Sequence, residues 1–290
     1  MIYSLCYILS VALFGVILKL VSLKTHGIVT TPLLIFLITF YSIIIFNIIN
    51  IKNIKSTYSK LLTINKIDVF LLPALVSLSL TFTFYIPLYY TPAIHSFAFM
   101  AIMSCCASLS MLIKAKTRRN FLVFSAMLTI IVIFYILHLE QMSLTKSILL
   151  VVATMTCAIT SYLYFVLSYK FNEAGFRSIE VLSFRFWPIC IVFGIISFMN
   201  GDIYKLPLYI IPETIGVSLI TFALPVYFSQ KAIEKIGPEL HGTMLGFTPL
   251  LTFVLENMIL KIHDFSMLFF GIAFAVIILC QNLGQKNKII

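Results

Sequence analysis

The chain has 290 residues, of which 61% are hydrophobic and only 10% are charged, and its mean hydropathy is +1.09. Soluble domains carry about 25% charged residues, so this composition excludes a water-soluble enzyme or binding module. The formal charge of +10 comes from Lys and Arg residues in short clusters between apolar runs, which is typical of membrane topology. A multi-pass membrane protein is therefore expected, with no nucleic-acid partner.

Ten apolar runs divide the chain, and each is close to the length of about 20 residues that a transmembrane helix needs. The first run reaches Lys19 without a cleavage site of small residues, so it is interpreted as a retained helix and not as a signal peptide. The fold class predicted is an all-α polytopic membrane protein. In chain order, the predicted transmembrane helices cover residues 2–20, 32–50, 69–89, 92–113, 121–139, 147–168, 179–199, 210–230, 239–260 and 265–283.

The positions of Lys and Arg predict which side of the membrane each connection faces. With the N-terminus inside, the inner segments hold fourteen of these residues and the outer segments hold five, while Arg185 lies within a span. An excess of Lys and Arg marks the cytoplasmic side. Both termini are therefore expected to lie in the cytoplasm.

The two halves of the chain contain a similar turn. Residues 91–96 read Thr-Pro-Ala-Ile-His-Ser at the start of the fourth span, and residues 237–242 read Gly-Pro-Glu-Leu-His-Gly at the start of the ninth, 146 residues later. This shift predicts two five-helix repeats, over residues 1–145 and 146–290. Because five is odd, the second repeat enters the membrane in the opposite orientation. Inverted repeats around a central cavity are the architecture of many secondary transporters.

Two stretches of the second half carry a motif known from transporters. Residues 227–238 read Tyr-Phe-Ser-Gln-Lys-Ala-Ile-Glu-Lys-Ile-Gly-Pro, and residues 248–255 read Thr-Pro-Leu-Leu-Thr-Phe-Val-Leu. Together they resemble the end of an EamA repeat in the drug/metabolite transporter superfamily, with residues 88–93 as a similar turn in the first half. Arg185 lies where this family often has an Arg in the second helix of a repeat. The resemblance implies a ten-helix transporter with its substrate near the midplane.

The chain also departs from that family pattern. Lys261 and Ile262 occupy positions where the family commonly has Gly-Glu, and the first repeat has Phe36 in place of the Arg. The first repeat also lacks the Pro-Leu motif in its fourth span. A divergent member is therefore expected, whose substrate does not follow from any particular relative.

The ninth predicted span carries a stripe of polar residues. His241, Thr248, Thr252 and Glu256 are spaced by seven, four and four residues, so they share one face of a helix. Polar groups in a bilayer are costly unless they face a cavity or another helix. The stripe is thus either a cavity wall or a helix–helix seam in which the threonines bond to their own backbone.

Arg185 lies about 9 Å into the seventh span, given the rise of an α-helix. Two interpretations are open: the side chain snorkels to the interface, or it is a cavity cation that binds a carboxylate or phosphate. Glu256 lies near the outer end of its span, about 15 Å away in depth, so a direct ion pair with Arg185 is not expected. Glu256 is either a protonatable group near the outer mouth or an interface residue.

Further candidate residues lie at the ends of the spans. His95 and His241 each follow a helix-opening proline, Pro92 and Pro238, and they are either paired gate residues or neutral groups that satisfy local Ser and backbone partners. An aromatic lining would suit planar solutes or quaternary ammonium ions, whereas aromatics at span ends usually form the interfacial belt. The candidates for this lining are Tyr85, Tyr89, Tyr227 and Trp187, with Lys231 on the face of Tyr227 and in a solvated pair with Glu234.

The chemistry-bearing residues do not suggest an enzyme. Neither an HExxH nor a DxxD motif occurs, and the six cysteines lie inside apolar runs without a CxxC pair, so no catalytic residue, metal or cofactor is expected. The expected function is secondary transport of a small polar metabolite, amino-acid-like and anionic or zwitterionic, by alternating access in the export direction. The expected partners are the solute, membrane lipid and a coupling proton, and the expected location is the bacterial inner membrane. A transporter of quaternary ammonium or drug-like cations and a non-transporting scaffold or lipid-handling protein are the alternatives.

Overall fold

The structure is a computed structural model, and it describes residues 1–24, 30–85, 92–139, 143–205, 210–261 and 265–286. These residues are mostly helical and contain no strand. The α-helices in chain order are α1 (Ile2–Lys24), α2 (Thr31–Ile49), α3 (Ile54–Thr63), α4 (Lys66–Tyr85), α5 (Pro92–Ala115), α6 (Arg118–Leu139), α7 (Leu144–Glu173), α8 (Ser178–Phe184), α9 (Trp187–Met199), α10 (Ile210–Ser218), α11 (Leu224–Met244), α12 (Thr248–Leu260) and α13 (Phe265–Lys286).

Seven helical stretches of the described residues are long and apolar enough to cross a membrane. Apolar helices near the two ends of the chain, Ile2–Phe14 and Phe265–Gln281, are shorter within the residues searched. The chain is therefore an all-helical, multi-pass membrane protein, as its composition predicted, while the count of ten spans stays a prediction. The seven stretches are Thr31–Ile49, Lys66–Tyr85, Ser96–Ala115, Arg118–His138, Leu144–Glu173, Ser178–Met199 and Thr214–Leu260.

The longest of these stretches, Thr214–Leu260, is interrupted three times. A π-helical turn occupies Leu219–Ala223, and a 3-10 turn occupies Leu245–Phe247. Between them Gly237 has φ 78°, a left-handed conformation that glycine adopts readily because it has no Cβ. Pro238 follows, and its missing N–H leaves one helical hydrogen bond unmade. This break lies between the predicted eighth and ninth spans.

The buried apolar side chains form two clusters that meet along α7. The α5 cluster joins α5, α6, α12 and α13 with parts of α1, α7 and α11. The α2 cluster joins α2, α4, α8 and α9 with the end of α7 and the π-helical turn. Tyr164 on α7 packs against both clusters. The boundary between them therefore passes the middle of α7, close to the polar residues described below.

The helices pack in a regular set of pairs. Six of these pairs are α4–α7, α1–α11, α5–α6, α12–α13, α5–α7 and α1–α12. Three further pairs, α2 with α9, α5 with α12 and α6 with α13, connect the two halves of the chain. The short α3 lies outside this arrangement and is tied down by side chains, since Asn50 Nδ2 donates to the buried Thr57 hydroxyl at 3.0 Å.

Candidate functional site

Arg185 lies at a break between two helices. α8 ends at Phe184, and α9 begins at Trp187 with Pro188 in its first turn. In a continuous helix the N–H of residue 188 would bond to the carbonyl of residue 184, and proline has no such N–H. Arg185 is only 2% exposed, so its side chain lies inside the protein and does not snorkel to the outside. The interior position is the one that a binding cation requires.

The guanidinium of Arg185 is held by one amide and two aromatic rings. Its Nη1 donates to Oε1 of Gln230 on α11 at 2.8 Å. Its central carbon lies 5.5 Å from the centroid of the Tyr164 ring and 4.8 Å from that of Phe186, which are cation–π distances. Gln230 is fully buried. Arg185 thus links the α8–α9 break to α7 and α11.

Two hydrogen-bond donors at this site remain without a partner among the described residues. They are Nε of Arg185 and Nε2 of Gln230, and both atoms are buried. Buried polar groups are nearly always hydrogen-bonded, and an unmade bond is costly. Both groups can only donate. The pair therefore presents two donors to any acceptor that reaches it.

The charge of Arg185 has no carboxylate counterpart within the described part of the chain. It forms no salt bridge there. Its guanidinium lies over the ring of Tyr164 on α7 instead. A buried charge is unfavourable unless it is paired. The site is therefore electropositive and suited to an anion.

His241 forms a second polar group next to this site. Its Nδ1 lies 3.0 Å from the Ser4 hydroxyl and its Nε2 lies 3.0 Å from the Ser229 hydroxyl. The imidazole is fully buried and stacks on the ring of Phe165, with centroids 4.9 Å apart. Ser229 directly precedes Gln230 on α11, so adjacent residues connect the two groups. His241 thus bonds to one serine of its own helical stretch and to one on α1, while the sequence left open a gate residue or a group that satisfies local partners.

The other proposed gate residues can be placed only in part. Pro92 and His95 belong to the first turn of α5, but their side chains lie outside the described ones. Pro238 follows the break at Gly237 and is buried. The pairing of the two histidines across the halves therefore stays a prediction.

The polar stripe of the ninth predicted span faces α5. Thr252 Oγ1 donates to Ser96 Oγ on α5 at 3.1 Å and to the carbonyl of Thr248 one turn earlier at 3.0 Å. Thr248 is fully buried, and Glu256 is 2% exposed. For Thr252 this geometry corresponds to the seam alternative, because its hydroxyl bonds to its own backbone and to the neighbouring helix.

The aromatic candidates that the structure describes are Tyr85, Tyr227 and Trp187. Tyr85 and Tyr227 are half-buried and pack on the α2 cluster. Trp187 is 44% exposed at the start of α9, while Tyr89 lies outside the described residues. Lys231 pairs with Glu234 at 3.0 Å, as the sequence predicted, and both side chains are about one quarter exposed.

Several polar contacts join helices at segments predicted to face the cytoplasm. Lys60 of α3 donates to the buried carboxylate of Glu180 at 3.0 Å and to the carbonyl of Gly175 at 3.0 Å. A salt bridge connects Asp68 at the start of α4 to Lys170 at the end of α7. Lys114 and Glu239 likewise connect α5 to α11, and the Ser178 hydroxyl donates to Glu234.

Gln230 and Tyr164 are not among the site residues predicted from the sequence. Formal charge and spacing along one helix indicate candidate intramembrane residues, and neither criterion selects a neutral amide. The available signal is that an uncharged Gln inside an apolar helix also carries groups that need partners. No cluster of three His, Cys, Asp or Glu side chains among the described residues could hold a metal ion. No protein-family model matches the chain, and no significant match exists among curated proteins.

Proposed function

We propose that this protein is a secondary transporter that moves a small polar metabolite by alternating access, in the export direction and across the bacterial inner membrane. The solute is anionic or zwitterionic and resembles an amino acid. The chain is placed, as a divergent member, in the drug/metabolite transporter superfamily on the strength of the motifs around Tyr227 and Thr248. Proton coupling through Glu256 or His241 is part of the same proposal.

The observation that carries the proposal is the buried Arg185–Gln230 pair. Arg185 is a fully enclosed cation, its Nε and the Nε2 of Gln230 have no partner among the described residues, and it forms no salt bridge there. A carboxylate accepts charge-assisted hydrogen bonds from a guanidinium, and these bonds are the strongest of their kind. A bound carboxylate would therefore neutralise the charge and accept a hydrogen bond from Nε of Arg185, while a second polar oxygen of the solute can accept one from Nε2 of Gln230.

The packing pairs support the ten-span architecture with two inverted repeats. If each of the first five spans is exchanged with its counterpart in the second half, the pair α4–α7 becomes α11–α1, and α5–α6 becomes α12–α13. The pair α5–α7 likewise becomes α12–α1, while α2–α9, α5–α12 and α6–α13 map onto themselves. All these pairs are in contact. A pseudo-two-fold axis of this kind is the basis of alternating access in repeat-built transporters.

The proposed cytoplasmic end offers contacts that could open and close. Lys60–Glu180, Lys170–Asp68 and Lys114–Glu239 each join two different helical elements. The cations of Lys170–Asp68 and Lys114–Glu239 are 61% and 69% exposed, and exposed ion pairs contribute little to stability, so these two pairs can separate and reform at modest cost, as a gate requires. Glu180 is only 2% exposed, so its separation from Lys60 costs more.

The test is solute flux into vesicles that contain the purified full-length chain. We expect saturable uptake of amino-acid-like or organic anions by the unmodified protein, and a loss of at least about tenfold in Arg185→Met, since one charge-assisted hydrogen bond alone has that magnitude. Arg118→Met is the matched control, because Arg118 is exposed and flux should not change. Folding of Arg185→Met is expected to persist, since apolar replacement of a buried charge is often neutral or stabilising.

The remaining outcomes separate the alternatives. Flux that increases with the positive charge of quaternary ammonium solutes, and that depends on Glu256 instead of Arg185, would support the cation transporter. Absence of flux for every solute class would support a scaffold or lipid-handling role. Equal flux in Arg185→Met and in the unmodified protein would show that the Arg185–Gln230 pair does not bind the solute.

A further inference from the structure

If the chain has the proposed function, the Arg185–Gln230 pair determines which small anions the protein binds. Amino acids carry an ammonium group next to their carboxylate, whereas hydroxy acids and keto acids do not. The two kinds of solute make different demands on the surroundings of Arg185. A zwitterion needs a group that compensates its ammonium, and the usual group is a carboxylate.

The two carboxylates nearest in sequence are already engaged. Glu180, on the short helix that ends just before Arg185, binds Lys60 at 3.0 Å and Arg177 at 3.4 Å. Glu234 lies one turn after Gln230, binds Lys231 at 3.0 Å and accepts a hydrogen bond from Ser178. Each carboxylate is therefore neutralised by its own cation.

The groups around Arg185 are hydroxyls, rings and amides. The rings of Tyr164 and Phe186 lie at its guanidinium, and the amide oxygen of Gln230 accepts a hydrogen bond from its Nη1. Across from Ser229, the imidazole of His241 is bonded to two serine hydroxyls. These groups suit a neutral, partly apolar molecular body, and a single cation balances a single carboxylate.

We infer that the Arg185–Gln230 pair binds monovalent carboxylates that lack an ammonium group, such as 2-hydroxy acids or 2-keto acids, in preference to amino acids. An ammonium group beside the carboxylate would be held close to the Arg185 charge in a medium of low dielectric constant, where like charges repel strongly. A hydroxyl or keto oxygen in the same position can instead accept a hydrogen bond from the second donor, Gln230 Nε2.

The test compares solutes that differ only at this group. Lactate and alanine form one pair, and phenyllactate and phenylalanine form another, so each pair keeps its side chain and exchanges hydroxyl for ammonium. Binding is measured as the ligand-dependent thermal shift of the purified full-length protein, and transport as flux into vesicles. We expect at least one hydroxy acid to bind about tenfold or more tightly than its amino-acid partner, as one charge-assisted bond would allow.

An isosteric variant, Gln230→Glu, tests the charge argument. The new carboxylate would still accept the hydrogen bond from Nη1 of Arg185 and would neutralise its charge, so hydroxy-acid binding should fall by about 10- to 100-fold. If Gln230 only supported the fold, this variant and the unmodified protein would bind equally well. Gln230→Leu, which removes the second donor, should weaken hydroxy-acid binding and reduce the preference over the amino acid to the part that repulsion between Arg185 and the ammonium supplies.

The outcomes distinguish the inference from the proposed function. Amino acids that bind as tightly as the hydroxy acids, with transport that still depends on Arg185, would overturn the inference and leave the proposed function intact. Hydroxy acids that bind through Arg185 without any flux would support the inference and contradict the proposed function. Absence of binding by both members of every pair would contradict the inference.

Discussion

The contact between α5 and α11 allows a quantitative test of the packing next to His241. Gly242 is buried at this crossing, and a Cβ added to it would lie 2.8 Å from Cβ of Ala107 and 3.6 Å from Cδ2 of Tyr162. Carbon atoms in contact are about 3.5–4.0 Å apart, so the added methyl is about 1 Å too close. The carbonyl of Gly242 also accepts a hydrogen bond from Ser104 at 3.0 Å.

We expect Gly242→Ala to destabilise the protein by about 1–3 kcal/mol, the range for overpacking a tight interior. The methyl of Ala107 has no rotamer that would relieve the clash, so the two helices have to move apart. At about 2–4 °C per kcal/mol for chains of 150–250 residues, the apparent melting temperature should fall by about 2–12 °C. The assay is thermal unfolding of detergent-purified protein at one fixed heating rate, because unfolding of such proteins is often irreversible.

Two further variants control for the effect of alanine itself. Gly216 on α10 has no atom within 4 Å of an added Cβ, so Gly216→Ala should leave the melting temperature unchanged or raise it, as alanine favours helix by about 0.5–1 kcal/mol. Adding Ala107→Gly to Gly242→Ala should restore part of the lost stability. An unchanged melting temperature in Gly242→Ala alone would refute the close approach of α5 and α11.

Two more substitutions test the polar contacts on either side of this crossing. His241→Phe keeps a ring that can stack but leaves two buried serine hydroxyls without their partner. The apparent melting temperature should therefore fall by an amount that corresponds to about 1–3 kcal/mol for each hydroxyl. A melting temperature equal to that of the unmodified protein would mean that these hydrogen bonds do not contribute to stability. Lys60→Met leaves the buried Glu180 with Arg177 as its cation. This variant should therefore lower the melting temperature more than the control Lys55→Met, which lies on the exposed side of α3. Equal melting temperatures for the two variants would contradict a stabilising role of Lys60.

Local sequence signals identified the helix break before Pro238 but not the one at Arg185. Gly237 and Pro238 together interrupt a helix by backbone conformation and by a missing donor, so spans eight and nine could be separated. Pro188 carries the same kind of signal, yet the run 179–199 was predicted as one helix because its hydropathy is continuous. The break that places Arg185 in the interior was therefore missed.

The helix α3 was not predicted for a different reason. Residues 51–68 are rich in Lys and polar side chains, and short helices are marginal without tertiary contacts. In the structure α3 is fixed by Thr57 to Asn50 and by Lys60 to Glu180. Glu180 is distant in sequence from α3, and no local pattern predicts which loop it will meet.

The candidate site shows the same limit at the level of single side chains. Arg185 was found because charges are rare in this chain, but its partner Gln230 lies 45 residues later on another helix. Its position depends on how α8 and α11 pack, which hydropathy does not encode. The polar stripe shows a similar limit. Thr248, Thr252 and Glu256 lie on α12 and are buried, whereas His241 lies on α11 before a 3-10 turn, and Thr252 bonds to Ser96 and to its own helix.

The contrast between the carboxylates and Arg185 is the main reason to regard this arginine as functional. Glu180, Glu234 and Asp68 are each bound to a cation, as expected for charges whose burial must be compensated. Arg185 is 2% exposed, close to the 1% of Glu180, yet a neutral amide and aromatic rings are its neighbours. An apolar residue of similar volume would avoid this cost. The arrangement is therefore poorly explained by stability and well explained by a solute that supplies the missing negative charge.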